Sequence, residues 1–351
     1  MLVNKIKVLI IDDSSLVRKI LTEGLSKDPG IEVVGAAPDA YVARDMIVDL
    51  KPQVLTLDVE MPRMDGVEFL RRLMPQYPMP VVMVSSLTQR GKQITLDALD
   101  AGAIDFVSKP SSNVAQGLSA MLMELRTKVK IASTASVAHW KSKRDTLVEK
   151  GIVAGSKALA ESTDKIIAIG ASTGGTEAIK RVISRFPRNT PGVVIVQHMP
   201  PGFTKMFAQR LNELCQMEVK EATTGDRVMI GRILLAPGDM HMKILRSGGI
   251  YKVICNPGEL VNGHCPSVDV LMDSVATHVG GNAVGVMLTG MGKDGAKGMK
   301  SMHDEGASTI AQDEATSVVF GMPKEAYLNG GAEKLLPIDD IAPEVIKLLL
   351  D

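Results

Sequence analysis

Short apolar runs alternate with longer stretches of helical spacing along most of this chain, and this pattern limits its fold more than any other feature. Between the runs, apolar residues recur at helical intervals, as at Leu16, Ile20 and Leu21. Such alternation predicts α/β architecture, with parallel strands and helices on both faces of the sheet. Sites in open sheets of this kind lie at the carboxyl ends of the strands. The runs in the first part of the chain are residues 8–11, 33–36, 54–57, 81–84 and 104–107.

The alternation stops after Lys109-Pro110 and starts again at Lys165. A helix is predicted over residues 117–131, followed by a polar stretch to about residue 164. We therefore predict one domain at 1–125, a solvated, partly helical linker at 126–163 and a second domain at 164–351. Docking of the linker to a partner through Trp140 is the alternative interpretation. The apolar runs that continue the series are residues 193–196, 232–235, 252–255 and 283–288.

Composition excludes several classes of protein. The 40 basic and 40 acidic residues cancel and aromatic residues make up only 3%, which argues against nucleic-acid binding. Apolar runs fall short of the roughly 20 residues that span a bilayer, and the N-terminal run is too short for a signal segment. The 3 cysteines lack Cys-x-x-Cys spacing, which favours reduced thiols. We therefore expect a cytoplasmic protein.

Acidic residues follow two strands of the first predicted sheet. Asp12 and Asp13 come after the first strand and Asp58 follows the third. Neighbouring parallel strands would bring these carboxylates together, and clustered oxygen ligands suit Mg²⁺. Ser85 ends the fourth strand and Lys109 ends the fifth, so a hydroxyl and a cation are available for a phosphoryl group carried by one acid.

A serine stands where the second series begins. Ser172 lies within Gly-Ala-Ser-Thr-Gly at residues 170–174, between an apolar run and a helical stretch. A nucleophilic serine on such a turn has its hydroxyl exposed and helix N–H groups nearby. His198 follows another apolar run as a candidate base, with His241 as the alternative, and Asp294 follows a third run as the orienting acid. His264 beside Cys265 suggests a metal site only weakly, because a second ligand pair is missing.

A nucleotide-binding turn is the competing interpretation of residues 170–174. The dinucleotide fingerprint Gly-x-Gly-x-x-Gly is not met, since Ser172 occupies the position of its second glycine. His198 also stands where that fold places an acidic residue. The sequence therefore favours serine chemistry over nucleotide binding.

Residues 5–125 resemble a response-regulator receiver domain, on the strength of Asp12, Asp13, Asp58, Ser85 and Lys109. The resemblance implies a flavodoxin-like (βα)5 fold and a histidine kinase as phosphodonor. It makes Asp58 the phosphorylated residue. It assigns Mg²⁺ to Asp12, Asp13, Asp58 and the backbone carbonyl of Glu60. The switch residues that it implies are Ser85 (with Ser86 as the alternative), Phe106 and Lys109.

The whole chain resembles the CheB family of chemotaxis protein-glutamate methylesterases. The motifs are Ala-Ile-Gly-Ala-Ser-Thr-Gly-Gly at 168–175, Val-Gln-His-Met-Pro at 196–200, Ala-Pro-Gly-Asp-Met-His-Met at 236–242, Pro-Ser-Val-Asp at 266–269 and Leu-Thr-Gly-Met-Gly-Lys-Asp-Gly at 288–295. The resemblance implies a doubly wound, mostly parallel second domain in which Ser172 is the nucleophile, His198 the base and Asp294 the acid. The N–H groups of Thr173 and Met291 would bind the oxyanion.

The same resemblance implies the substrate and its control. The substrate is a glutamate methyl ester on chemoreceptors, whose hydrolysis releases methanol, and receptor glutamines are implied as substrates for deamidation. The esterase chemistry needs no cofactor, and the protein meets the membrane only through receptors. A receiver placed before a hydrolase suggests that the unphosphorylated receiver covers the serine site, and that phosphorylation of Asp58 exposes it.

Overall fold

The computed structural model describes residues 5–86, 88–110, 114–137, 140 and 164–350. The chain forms two compact units, residues 1–147 and 148–351. Among the described residues, no helix is both long enough and apolar enough to cross a bilayer.

The first unit is a sheet of five parallel strands in the order β2-β1-β3-β4-β5. This order is that of flavodoxin-like folds, and it confirms the predicted receiver architecture. The strands are β1 (Ile6–Ile11), β2 (Ile31–Ala37), β3 (Val54–Asp58), β4 (Val81–Ser85) and β5 (Asp105–Ser108). The helices are α1 (Ser15–Ser26), α2 (Ala40–Leu50), α3 (Gly66–Leu73), α4 (Gln89–Asp100) and α5 (Val114–Ala132).

Side-chain caps fix where the helices of this unit begin. Ser14 accepts the N–H of Val17 at the start of α1, and Asp65 accepts the N–H of Glu68 at the start of α3. Strands β3 and β4 are buried along their whole length, as expected for a parallel sheet covered on both faces. Strand β1 pairs with β3 in parallel, so their carboxyl ends lie side by side.

Helix α5 confirms the helix predicted over 117–131, and it continues past residue 125 to Ala132. Most of the predicted linker, 126–163, lies outside the described residues. Trp140 is described, and its indole lies 3.1 Å from the position that a Cβ atom on Gly102 would take. Trp140 therefore packs against the first unit. The boundaries 1–125, 126–163 and 164–351 stay predictions.

The second unit contains a seven-stranded parallel sheet in the order β15-β14-β13-β6-β7-β10-β8. Its central strands are buried throughout, which confirms the predicted doubly wound parallel domain. The strands are β6 (Ile166–Ala171), β7 (Gly192–Gln197), β8 (Glu218–Glu221), β10 (Arg232–Leu235), β13 (Ala283–Met287), β14 (Ser308–Gln312) and β15 (Lys334–Leu336). The helices are α6 (Gly175–Ile183), α7 (Phe203–Leu214), α8 (Val268–Val279), α9 (Ala296–Asp304), α10 (Met322–Leu328) and α11 (Ile338–Leu350).

A separate three-stranded antiparallel sheet interrupts this series. It comprises β9 (Arg227–Val228), β11 (His241–Ser247) and β12 (Ile250–Asn256). Residues 252–255, which we assigned to the parallel series, lie in β12, so that assignment is wrong. The cause is the pair Gly248 and Gly249, with φ of 56° and 81°, which turns the chain straight back after β11. A two-residue turn with positive φ at both positions joins antiparallel strands.

Strand order in the parallel sheet decides where the candidate residues lie. Strand β6 is flanked by β13 and β7, so the carboxyl ends of these strands are adjacent. Ser172 follows β6, His198 follows β7 and Asp294 follows β13 within a short loop. The three side chains therefore reach one edge of the sheet without long connections.

Candidate functional site

Ser172 lies on a tight turn between β6 and α6. Its N–H donates to the carbonyl of Thr289 (3.0 Å), and its own carbonyl accepts the N–H of Gly175 (2.7 Å). Gly174 has a φ of 76°, a conformation that favours glycine, and a Cβ there would also press on Val318. These contacts fix the backbone on both sides of a half-buried serine at the start of a helix.

His198 bridges Ser172 and Asp294. Its Nδ1 lies 3.1 Å from Ser172 Oγ, and its Nε2 lies 2.8 Å from Asp294 Oδ2. Because an ionised carboxylate can only accept, Nε2 carries the proton, and Nδ1 is left to accept from the serine hydroxyl. The imidazole side chain is 7% exposed, so solvent competes little for either nitrogen. The structure brings together the three residues that the sequence singled out.

Asp294 is a buried carboxylate with several donors. Oδ1 accepts from Ser267 Oγ (2.7 Å) and Asn262 Nδ2 (2.8 Å), and Oδ2 accepts the N–H of Val268 (2.7 Å) besides His198. Burial alone would raise the pKa of Asp294, but the hydrogen bonds from His198, Asn262 and Ser267 outweigh it and hold the pKa below its ordinary value. Asp294 is therefore ionised and able to orient the imidazole.

Some residues at this site were missed by the sequence prediction. Gln197 Nε2 donates to the carbonyls of Ser172 (2.9 Å) and His198 (3.1 Å), which ties the two loops together. Ser267 belongs to a motif that we noted without assigning it a role. The Asn262-Gly263 pair is a typical two-residue turn sequence, and it was the one signal that could have drawn attention to Asn262.

The other histidines have different surroundings. His241, the alternative base, is occupied on both sides: Nε2 contacts the carbonyl of Glu259 (2.8 Å), and Nδ1 accepts the N–H of Ser267 (3.2 Å). His264 stacks on His198, with ring centroids 3.7 Å apart and planes inclined by 12°. Within the described part of the chain, the cluster of side chains spaced to hold a metal ion is acidic and lies in the first unit.

The two predicted oxyanion donors lie near Ser172. Thr173 is buried, and its carbonyl accepts the hydroxyl of Thr289 (3.0 Å). Met291 follows Gly290, where an added Cβ would come within 2.8 Å of Ser172 Cβ. The backbone at Gly290, next to Met291, therefore lies directly against the serine. The role of both N–H groups stays a prediction.

The acidic cluster of the first unit consists of Asp12, Asp13 and Asp58, with carboxylate oxygens within 4.8 Å of one another. Lys109 Nζ lies 2.8 Å from Asp58 Oδ2 and 3.1 Å from Asp12 Oδ2. Burial raises the pKa of Asp58 to about 6, against the attraction of Lys109. Excess negative charge in a partly buried site fits a divalent cation, and the all-oxygen donor set suits Mg²⁺.

The remaining receiver residues lie around this cluster. The buried Ser85 hydroxyl faces α4, where it contacts the carbonyl of Gly91 (3.3 Å) and Thr95 Oγ1 (2.5 Å). Phe106 is buried in β5. Glu60 is exposed two residues beyond Asp58, and Ser86 is half-buried beyond the end of β4. The phosphorylation, switch and metal-binding roles of these residues stay predictions.

Two family models match this chain. The family described as CheB methylesterase matches residues 167–345, and the response regulator receiver domain matches residues 8–121. The chain belongs to the CheB methylesterase family. A protein-glutamate methylesterase/protein-glutamine glutaminase of Syntrophotalea carbinolica is 68% identical over 98% of both chains. A protein of the same name from Salmonella typhimurium is 52% identical over 98% of this chain and 97% of its own.

A solved structure supports the fold of the second unit. The crystal structure of the Thermotoga maritima CheB methylesterase catalytic domain is 40% identical and has a TM-score of 0.51. The match covers 52% of this chain and 98% of that one. The similarity therefore extends over the whole catalytic domain of a CheB family member.

Proposed function

We propose that this protein is a serine hydrolase that removes methyl groups from glutamate methyl esters on chemoreceptors and releases methanol. The observation that carries the proposal is the imidazole of His198, placed between the Ser172 hydroxyl and the Asp294 carboxylate. The names of relatives up to 68% identical give glutamate methyl esters of proteins as the substrate class and add protein-glutamine glutaminase activity. We assign both activities to chemoreceptors as part of the proposal. Esters and amides share a tetrahedral path, so one site can serve both reactions.

The reaction follows from the hydrogen bonds of His198. Ser172 Oγ attacks the ester carbonyl carbon while its proton passes to Nδ1 of His198. The C–O bond to the methoxy group breaks, and Nδ1 returns that proton to methanol as it leaves. Water then attacks the acyl-enzyme, with Nδ1 taking its proton and passing it to Ser172 Oγ. Asp294 stabilises the imidazolium formed in each half.

The oxyanion is assigned to the N–H groups of Thr173 and Met291. Thr173 follows Ser172 directly, and Met291 follows Gly290, which packs against Ser172. The two residues lie on the loops that follow β6 and β13. Loss of one such donor typically costs about 2.7–4 kcal/mol of transition-state stabilisation. Main-chain donors cannot be removed by side-chain substitution, so Thr173→Ala is expected to keep the N–H donor at this position.

Methanol release from methylated chemoreceptor membranes tests the hydrolase proposal. We expect the full-length protein to release methanol and Ser172→Ala to release none above the uncatalysed rate. Ser184→Ala, at the far end of α6, is the matched control and is expected to keep wild-type activity. Equal release by wild type and Ser172→Ala would contradict the proposal.

Phosphorylation of Asp58 is proposed as the control of this activity, with a chemotaxis histidine kinase as the donor. A carboxylate oxygen of Asp58 attacks the phosphorus of a phosphohistidine, the P–N bond breaks and the imidazole leaves. Lys109 Nζ, which already donates a hydrogen bond to Asp58, offsets the negative charge of the added phosphoryl group. The Ser85 hydroxyl turns from α4 toward the new phosphoryl oxygen, which makes it the switch, with Phe106 next to it on β5.

Asp12, Asp13, Asp58 and the carbonyl of Glu60 are the proposed holders of Mg²⁺. When bound, the ion supplies positive charge that offsets the repulsion between these carboxylates and the phosphoryl group. Cys215, Cys255 and Cys265 are free thiols, as is typical of a reducing compartment, and we propose that this protein is cytoplasmic.

The control is tested with a small phosphodonor and Mg²⁺ in the same methanol assay. We expect the donor to raise the rate for wild type and to leave Asp58→Ala at its basal rate. Chelation of Mg²⁺ is expected to abolish the increase without lowering the basal rate. An increase that persists in Asp58→Ala would contradict the assignment.

A further inference from the structure

A two-residue β-turn connects the region after β12 to α8. The N–H of Val261 donates to the carbonyl of His264 (3.0 Å), and the N–H of His264 donates back to Val261 (3.0 Å). Asn262 and Gly263 have φ of 53° and 83°, the conformation of a type I′ turn. Asn-Gly is the preferred sequence for this turn. We call residues 261–264 the triad turn, because both of its longer polar side chains contact the catalytic group.

Asn262 joins two buried acids. Its Nδ2 donates to Asp294 Oδ1 (2.8 Å) and to Asp269 Oδ2 (2.7 Å). An amide nitrogen has two hydrogens, so each carboxylate accepts one hydrogen bond from it. Asp269 is itself anchored, since its Oδ1 accepts the N–H of Gly298 in α9 (2.8 Å). Asn262 therefore ties the position of Asp294 to helices α8 and α9.

His264 covers one face of the catalytic imidazole. The centroid distance of 3.7 Å and the angle of 12° describe two rings stacked nearly parallel. The hydrogen bonds to Ser172 and Asp294 fix the two nitrogens of the His198 ring. They leave the ring free to rotate about the line through these two nitrogens. A stacked ring blocks that rotation and keeps water from the covered face.

We propose that the triad turn is a positioning element, in which His264 holds the ring plane of His198 and Asn262 holds Asp294. The inference rests on the proposed function and goes beyond it, because it assigns roles to residues outside the nucleophile, base and acid. Asn262 acts on Asp294 through a hydrogen bond, and His264 acts on His198 through ring stacking. Their effect is therefore expected in kcat, through the alignment of His198, with KM unchanged.

The test compares His264→Ala, His264→Phe and Asn262→Ala in the phosphorylated full-length protein, with Leu260→Ala as the matched control. Leu260 is 67% exposed on the same connection. We expect His264→Ala to lower kcat by about 10- to 100-fold, the range for small misalignments of a catalytic group. His264→Phe keeps a stacked ring and is expected to restore most of kcat. Asn262→Ala is expected to lower kcat as His264→Ala does, and Leu260→Ala to leave it unchanged.

A proton NMR measurement shows whether a lower kcat comes from misalignment of His198. The Nε2 proton of His198, bonded to Asp294, is expected as a slowly exchanging downfield proton signal in wild type and His264→Phe. It is expected to broaden or vanish in His264→Ala and in Asn262→Ala, while the melting temperatures of these variants show that they are folded.

Two results would overturn the positioning role, and a third would separate it from the proposed function. Wild-type kcat and an intact proton signal in His264→Ala would overturn the inference, as would a loss in His264→Phe as deep as that in His264→Ala. If the protein releases no methanol but the proton signal still depends on His264, the proposed function fails and the positioning role stands.

Discussion

Asp294 illustrates how one residue's surroundings set the chemistry of the site. A carboxylate this deeply buried would ordinarily take up a proton, yet side-chain and main-chain donors converge on its two oxygens. The low pKa that results keeps Asp294 an acceptor, so Nε2 of His198 must be the protonated nitrogen. The basic nitrogen that faces Ser172 is then Nδ1.

Replacement of Asp294 by asparagine tests this assignment. The amide can donate a hydrogen bond to His198 and so favours the wrong tautomer, with the proton on Nδ1 facing Ser172. We expect kcat for methanol release to fall by about 10⁴-fold, as for a triad with its acid neutralised. The control is Asp273→Asn, an exposed position in α8, which is expected to keep wild-type kcat. A fall of less than tenfold in Asp294→Asn would argue that His198 does not depend on this acid.

Asp58 has the opposite environment, with burial raising its pKa to about 6. In the metal-free receiver, Asp58 is therefore expected to take up a proton, and so to lose its nucleophilic carboxylate, as pH falls through 6. Added Mg²⁺ stabilises the charged form and lowers this pKa, whereas Lys109→Met removes a cation and raises it further. Carboxyl ¹³C NMR titration with and without Mg²⁺ measures each shift. An Asp58 carboxyl that titrates near 4 without Mg²⁺ would contradict this account.

The sequence predicted the catalytic residues that follow strands. It did not predict the neighbouring residues that hold the catalytic side chains in place. Ser172, His198 and Asp294 each follow an apolar run, and parallel strands bring such positions together. Asn262 and His264 follow no strand of the parallel sheet. Their contacts depend on how one connection folds over the site, which neither periodicity nor spacing reveals.

Among the elements, strand β6 and the first turn of α8 depend on each other. Gly170 in β6 has no side chain, and Val268 fills the space beside it. The N–H of the same Val268 donates to Asp294 Oδ2. The close packing of the strand against the helix start therefore sets the distance between Ser172 and the acid.

Gly170→Ala tests this coupling. The added methyl group would overlap Val268 Cγ1 and push the start of α8 away from the sheet. We expect the catalytic unit to lose about 1–3 kcal/mol of unfolding free energy, measured by urea denaturation, together with a lower kcat. Gly281→Ala is the matched control, because its new methyl group meets only ordinary contacts, 3.5 Å or longer. Unchanged stability and kcat in Gly170→Ala would show that α8 is not held by this contact.

Hydrophobic periodicity did not predict the antiparallel pairing of β12. Residues 252–255 have the apolar character of a buried strand, and their period alone does not indicate a parallel or antiparallel partner. The deciding signal was Gly248-Gly249, a hairpin turn outside the run itself. The predicted strands β7 and β13 are each followed by a helix, whereas the predicted strand β10 is followed by β11. Strands β8, β14 and β15 of the parallel sheet were not predicted.

At the scale of the whole molecule, each unit has its own sheet and its own buried strands. We therefore expect residues 164–351 to fold alone and to release methanol without a phosphodonor. If the unphosphorylated receiver represses the esterase, this fragment is more active than the unphosphorylated full-length protein and does not respond to phosphodonor. Methanol assays on both proteins, with circular dichroism as the control for folding, check this. A fragment no more active than the unphosphorylated full-length chain would contradict repression.

The most direct test of the central claim is whether Ser172, His198 and Asp294 act as one unit. We would measure kcat for methanol release by each single alanine variant and by the triple variant. Residues of a working triad are strongly non-additive, so Ser172→Ala, His198→Ala and the triple variant should each lose a similar factor, on the order of 10⁶. Losses that multiply from single to triple variant would show that the three residues act independently, and the proposed mechanism would be wrong.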